Sequence, residues 1–396
     1  MLRALNASAV LAALRANGPT RIANLMSATG LTRPTIAQAL SFLTREGWVH
    51  AVGTSEESMG RPAQIVAFDA SAGYVLGVDV GPHKVLAVLT DLAGETVAEK
   101  RSDAASAGDA AEVMAITKAT MNATLRAGGV SRRQLVGLAI GSPGVIDEAE
   151  GTVLLAPSIP NWTAISLRDE LALAFPCPID IDNDVNLAVL AEQRYGGHPE
   201  TGTLAFVQWG TRIGAGITIN GRVHRGAGAA AGEIGFLDLD ETPAPPSDTG
   251  PFERQVGPAA IAELAAVHWP GHSSDVESVL AAAAAGDQDA GRVVDILAAR
   301  FARGVAPLLL VLDPDLLVIG GGITSGGAAF PLDAIQRHLA TRTVVRTPLE
   351  LSRLGDRAVA LGGVQRALDS VAERLFTPEA LAAAAAVPAE RAGAGA

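Results

Sequence analysis

The hydrophobic positions of the chain change period near residue 70. Before it they recur at helical spacing. Val10, Leu11 and Leu14 fall on one face of a helix over Asn6–Asn17, which Gly18-Pro19 ends. Ile22, Leu25 and Met26 do the same for a helix over about Thr20–Thr29, with Gly30 as the turn. A third helix is predicted from Thr32 as N-cap, with Pro34 in its first turn, Ile36, Leu40 and Leu43 buried, and Gly47 as its stop. Trp48-Val49 and Ile65–Phe68 then read as two short strands around the polar stretch Gly53–Arg61. Three helices followed by a two-stranded wing predict a winged helix-turn-helix over residues 1–70.

Beyond that point apolar runs of strand length alternate with helical stretches. Val75–Val80, Val85–Leu89, Leu135–Ile140 and Ile179–Ile181 predict the strands of one α/β lobe, residues 71–190. Leu204–Gln208, Ala215–Ile219 and Leu316–Ile319, with helices near Pro258–Val267 and Val293–Leu310, predict a second lobe over residues 191–378. Its C-terminal helix is expected to pack back on the first lobe. Each lobe opens with a strand, a glycine-bearing turn and a strand, which suggests a duplicated unit around a cleft. Pro243–Pro251 reads as a proline-rich loop, and residues 379–396 as a low-complexity, frayed tail.

Composition sharpens this picture in two ways. The apolar fraction is 48% with few aromatics, and no run approaches the roughly 18 apolar residues of a membrane span, so a soluble cytoplasmic protein is expected. The net charge of −12 argues at first against nucleic acid. Residues 1–70, however, hold six arginines against four acids, a local +2 that leaves −14 on the rest. So weak a basic excess suits a DNA binder in which two such heads act together, since each phosphate contact adds separately. The single cysteine, Cys177, excludes an internal disulfide and reads as a small apolar filler.

The third helix carries Arg33, Thr35, Gln38 and Ser41 on the face opposite its apolar stripe. Arginine and glutamine there can make bidentate hydrogen bonds to base edges, and Arg61 in Gly60-Arg61-Pro62 is narrow enough to enter a minor groove. The competing reading is a solvated face on a protein-binding helix and a plain turn at Arg61. Glu56 and Glu57 would keep the wing tip off the phosphates. His268 and His272 have the four-residue spacing of metal ligands, but Pro270 and Gly271 break the helix that would align them.

From these motifs the chain resembles the ROK family of repressors and sugar kinases, in its transcriptional-regulator branch. The likeness runs from Asn6 to about Leu368. It is carried by Leu31-Thr32-Arg33-Pro34-Thr35, Gly60-Arg61-Pro62 and the Gly73–Gly81 junction. It implies an α/β body of the two-lobed sugar kinase/Hsp70/actin (ribonuclease H-like) type. Asp79-Val80-Gly81-Pro82-His83 corresponds to the first phosphate loop, where kinases have Gly-Gly-Thr. Here Pro82 removes an N–H and His83 replaces the hydroxyl residue. Gly210-Thr211-Arg212 corresponds to the second loop, with Arg212 in place of a glycine. That arginine either meets an anionic ligand or lies outward on the surface. Gly320-Gly321-Gly322 resembles the adenosine-side loop.

The resemblance assigns the sugar side to Asn183, Asp184, Glu233 and Glu253. Asp184 matches the general base of the kinases, and in a sensor the same carboxylate would accept a sugar hydroxyl's hydrogen bond. Each also has a purely structural reading, as a cap or a solvated turn residue. Ser158 takes the place of a sugar-contacting asparagine, and Trp162 is expected to anchor the core. The family's structural zinc is held by a histidine and three cysteines. Phe236 stands at the histidine position and Leu237–Pro251 contains no cysteine, so no metal and no cofactor are expected. The leading expectation is a sugar- or sugar-phosphate-responsive repressor, a homodimer or homotetramer on an operator, with no catalytic residue in use and Asp184 as a vestigial base. An active hexose kinase and a ligand-blind DNA binder remain as alternatives.

Overall fold

The computed structural model describes residues 1–55, 63–198, 202–239, 249–324 and 329–386. The head contains helices Leu2–Asn17, Ile22–Thr29 and Arg33–Arg45 and the antiparallel strands Val49–Ser55 and Ala63–Phe68. The first helix starts four residues before the expected Asn6, because Leu2-Arg3-Ala4-Leu5 are all good helix formers. Thr20 and Arg21 leave the expected second helix and form a short strand on Ile65–Val66, which turns the wing into a three-stranded sheet. Val10, Leu11, Leu14, Leu25, Ile36 and Leu43 are all essentially buried, so the helical stripes meet in one core. Thr32 is the N-cap of the third helix, but its hydroxyl pairs with that of Thr35 at 2.9 Å instead of capping an N–H.

Each lobe of the body is built on a five-stranded sheet. In the first, strands run in the spatial order Ile179–Asn183, Leu135–Ser142, Tyr74–Val80, Lys84–Asp91, Thr96–Asp103, with the first three parallel and the last two antiparallel. In the second, the order is Arg222–Val223, Ile213–Ile219, Thr203–Trp209, Leu316–Gly320, Leu349–Leu351. The same strand-hairpin-strand start recurs in both, so the body is a duplicated α/β unit. The ends of the parallel strands face the cleft, as expected where ligands enter open α/β sheets.

Two helices tie the lobes together. Asp184–Tyr195 follows the Ile179–Asn183 strand, and Ala358–Leu375 packs against it and across Tyr74–Val80 and Leu135–Ser142. Contact there is backbone to backbone: a Cβ on Gly362 would lie 1.8 Å from the carbonyl oxygen of Leu187. Only glycine allows that approach.

The tail expectation needs correction. Pro378–Ala386 is a helix that packs on the first helix of the head, with Leu381 1% exposed. Just before it, Phe376 sits edge-on to Trp48 (5.0 Å between centroids) and Phe68 (5.9 Å), with the Arg15 guanidinium 5.0 Å from its ring centre. Ser8 donates to the Phe376 carbonyl at 2.8 Å. Head residues, the Ala358–Leu375 helix and Leu381 form one continuous apolar core. The alanine-rich sequence hid this, since Leu381 and Phe376 are isolated apolar residues without a repeating stripe.

Candidate functional site

The cleft is built where strand ends meet helix starts. Asn183 ends its strand and becomes the N-cap of the Asp184–Tyr195 helix. Its Oδ1 accepts from the N–H of Val185 (2.9 Å) and of Asn186 (3.3 Å), and its amide donates to the Gly144 carbonyl at 2.7 Å. All of these bonds are internal, and the residue is 7% exposed. Asn183 thus fixes the turn from strand to helix at the cleft, as its capping chemistry favours.

Asp184 is the next residue and faces the second lobe, where the Gln208 amide donates to its Oδ2 at 3.4 Å. Burial pushes its carboxyl up to about 7, and the negative charges of Asp79 and Glu233 add to that. The N–H of Val185 and the Gln208 amide pull the other way. The second lobe reaches this helix closely: a Cβ on Gly216 would stand 2.2 Å from the Val185 carbonyl oxygen.

Glu233 begins the short turn Ile234–Phe236, and its side chain makes no capping bond. It is half-buried, and burial together with the Glu253 charge holds its carboxyl above the ordinary value, against Arg212. Glu253 is spoken for. It is 4% exposed and accepts from the N–H of Ile213 (2.9 Å) and of Gly250 (2.8 Å), with Arg212 at 3.2 Å. These bonds brace the second loop from below. The same pair settles where Arg212 goes: it turns back onto Glu253 at the loop's base instead of lying outward.

In the first loop, Asp79 is buried and pairs with Lys84 at 3.1 Å. Burial raises its carboxyl, with Lys84 opposing. Lys84 also donates to the Asp356 carbonyl at 2.8 Å, so the hairpin is fastened to the start of the Ala358–Leu375 helix. Gly81 closes the turn through its N–H to the Lys84 carbonyl (2.9 Å), and His83 stands exposed at the tip. Gly210 donates its N–H to the Arg212 carbonyl at 3.2 Å, Thr211 is exposed, and a Cβ on Gly210 would meet the Gly322 N at 3.4 Å. The second and third glycine loops therefore meet, with Gln208 packed beside Gly321.

Ser158 is half-buried on the turn before Trp162, whose indole donates to Ser142 at 2.8 Å from a 1%-exposed position. Residues Arg33, Gln38 and Ser41 are exposed on the third helix, with Thr35 half-buried beside them. Thr35, Gln38, Ser41 and Arg45 share a groove of about 580 Å³ with Arg3 and Asn6 of the first helix and Leu381. Arg61, Glu56 and Glu57 lie outside the described residues, as does most of the Pro243–Pro251 loop. Phe236, 44% exposed, offers no lone pair where the family has an imidazole, and the loop after it supplies no thiolate, so the donor set does not fit a zinc ion. His272 stacks on Trp269 at 4.3 Å, a packing contact.

Sequence reasoning missed Gln208, Lys84 and Arg225. Arg225 comes from the second lobe and crosses to the first, 2.5 Å from Asp182 and 2.9 Å from Glu148. Asp182 is 2% exposed, so this is a nearly buried link between the lobes. No local pattern marks an arginine whose partners lie 43 and 77 positions away. Lys84 and Gln208 were legible in principle, as polar residues at the ends of apolar strands that border a glycine turn.

Comparison with known proteins agrees with this geometry. Residues 75–369 match the ROK family model and residues 4–53 the IclR helix-turn-helix domain model. The chain is 27% identical over 363 residues to a putative xylose repressor of Caldicellulosiruptor sp. (strain Rt8B.4), covering 86% of this chain and 90% of that one. It is also 27% identical to a glucokinase of Halalkalibacterium halodurans, over 73% of this chain and 93% of the kinase. Among solved structures, a ROK family transcriptional regulator homologous to the E. coli MLC protein superposes with a TM-score of 0.74 at 22% identity, covering 96% of this chain and 98% of the other. With a helix-turn-helix at its start and a matching model across most of its length, the chain belongs to the ROK family.

Proposed function

We propose that this protein is a sugar-responsive transcriptional repressor whose head holds operator DNA and whose cleft binds a sugar without phosphorylating it. The observation that carries the reading is the joining of a recognition helix, polar and exposed at Arg33, Gln38 and Ser41, to a sugar-kinase-like body through one shared core. A sugar hydroxyl donates to Asp184 and Glu233 as the lobes close. The Asp184–Tyr195 helix then shifts against Ala358–Leu375, and Phe376 carries that shift into the head. Two heads working as a homodimer or homotetramer change their spacing, and operator affinity falls. The protein acts in the cytoplasm and uses neither metal nor nucleotide.

The relatives named as xylose repressors make xylose the first effector to test. Duplexes selected by the protein from a random pool should be released on adding an aldose, and a panel that leaves DNA affinity unchanged would reject the reading.

One observation favours a second reading, an active hexose kinase: Asp184 has the position of a general base and, through burial, the raised basicity of one. Against it stand Pro82 and His83 in the first loop and the Arg212–Glu253 pair in the second. An ADP-coupled assay over hexoses decides, since sustained turnover requires the kinase.

A further inference from the structure

Arg225 belongs to the second-lobe loop that also carries Glu233. Its carbonyl accepts from the N–H of Ala231 at 3.0 Å, two residues before the glutamate. Its side chain leaves that lobe and ends among acids of the first. Asp182, nearly buried, accepts its hydrogen bond at 2.5 Å. Glu148 stands 2.9 Å from the arginine's Nε, yet that buried N–H makes no hydrogen bond among the described residues, so the contact is one of charge alone. The other oxygen of Glu148 lies 3.8 Å from Arg366 on the Ala358–Leu375 helix. Arg366 also lies 3.4 Å from Asp180, and Arg374, in the last turn of that helix, lies 4.0 Å from the same carboxylate. Burial and the Asp182 charge hold the Glu148 carboxyl above its ordinary value, with Arg225 and Arg366 both opposing and Asp180 adding. The charges continue to the head. Asp369, one turn beyond Arg366, accepts from the Gln365 amide at 2.7 Å and feels Arg366, Glu373 and Arg15 of the first helix.

These contacts have slack. Arg366 Nε and Asp180 Oδ2, like Arg225 Nε, are buried without a hydrogen bond among the described residues. Idle donors and acceptors so close together are uncommon in a settled interior, and a second arrangement of the same side chains would use them. Arg168 fixes the backbone at this point through bonds to the carbonyls of Glu148 (2.8 Å) and Ala149 (2.7 Å), so only the Glu148 side chain has to turn.

We propose that Glu148 couples the cleft to the head, trading Arg225 of the second lobe for Arg366 of the Ala358–Leu375 helix as the lobes close. This rests on the sugar-responsive reading above and names the regulation of that site. Asp182 keeps hold of Arg225, and the pair is the pivot. Glu148, freed by the rotation, turns to Arg366 and draws it from Asp180, which Arg374 then takes. Both arginines ride on one helix, and its end sets Phe376 against Trp48 and Phe68. Partly exposed ion pairs contribute little singly, so both arrangements are within reach. A ligand that prefers the closed lobes selects between them.

The test is Glu148→Gln in the full-length protein, which keeps the side chain's shape and removes its charge. Arg225 is the poorer probe, because its loss strips the buried Asp182. Xylose, glucose and N-acetylglucosamine are titrated by calorimetry, and the Kd for a selected duplex is measured with and without each sugar at saturation. The sugar Kd and the sugar-free DNA Kd should stay within about twofold of wild type, while the factor by which sugar weakens DNA binding falls at least about fivefold. Arg366→Gln should give the same loss, and the double variant no more than either single one. Coupling that survives Glu148→Gln, or losses that add in the double variant, overturns the inference and leaves a sugar-responsive regulator standing. A variant that loses sugar or DNA affinity outright overturns it too, since Glu148 would then serve binding or folding. If wild-type DNA binding ignores all three sugars, the sugar-responsive reading itself falls, and this inference with it.

Discussion

Replacing Phe376 with alanine tests whether the end of the body is part of the head. The ring is 7% exposed and lies edge-on to Trp48 and Phe68, with Arg15 above it. Truncating a buried phenylalanine costs about 3–5 kcal/mol. Each edge-to-face pair contributes about 0.5–1.5 kcal/mol, part of it already within that range. A loss of ~4 kcal/mol is large beside the roughly 5–15 kcal/mol that holds a domain folded. It falls on the junction, because Phe376 is the aromatic through which Trp48 and Phe68 meet the body. Urea unfolding followed by tryptophan fluorescence and by proteolysis near Asp69–Gly73 should separate an early head transition from a later body transition. Phe376→Leu should recover most of the loss. Where the head still folds, DNA binding should persist but cease to respond to sugar. An unchanged unfolding profile, or a Phe376→Ala protein whose DNA affinity still answers to sugar, would refute the coupling route.

Further outcomes follow from the same geometry. Because Asp184 holds its proton up to about 7 in the folded protein and an unfolded aspartate releases it near 4, the ligand-free protein should lose stability as pH rises between about 4 and 7. Sugar binding needs the ionised form as acceptor, so affinity should rise about tenfold from pH 6 to 8. Titration at both values checks this, and Asp184→Asn should abolish the dependence. Gln38→Ala should cost about 1–3 kcal/mol at one base pair and relax its specificity, measured against operator variants; a uniform loss across all sequences would make Gln38 a non-reading contact. Arg225→Met should destabilise by about 3 kcal/mol by leaving Asp182 with only the Asn183 N–H and the Asn186 amide. Adding Asp182→Asn should restore much of that in urea unfolding, and a double variant no better than the single one would deny the pairing.

The winged head and both sheets were legible because their residues repeat. Ile36, Leu40 and Leu43 sit at helical spacing, and the runs at Val75–Val80 and Leu204–Gln208 are continuous, as strands buried on both faces must be. Elements without that signal were missed. Thr96–Asp103 is an exposed edge strand of mostly polar residues. The helix Ala110–Ala127 buries Thr117, Thr120 and Thr124, polar residues that fit a core because their hydroxyls bond the carbonyls four residues back at 2.8–2.9 Å. In the cleft, residue types pointed to Asn183, Asp184, Glu233 and Glu253 alike, but gave no sign of the internal bonds that Asn183 and Glu253 make. Those bonds depend on which backbone N–H groups lie nearby, and on an arginine reaching across from another loop. The shared core at Phe376 joins positions more than 300 apart and leaves no trace in local sequence.

The most direct measurement is fluorescence anisotropy of a duplex selected by the full-length protein, titrated with free aldoses and, separately, with ATP. Saturating sugar should release the DNA, ATP should change nothing, and no sugar phosphate should form in the mixture. DNA that stays bound at every sugar concentration, or sugar phosphate accumulating over many turnovers, would contradict a cleft that senses without catalysing.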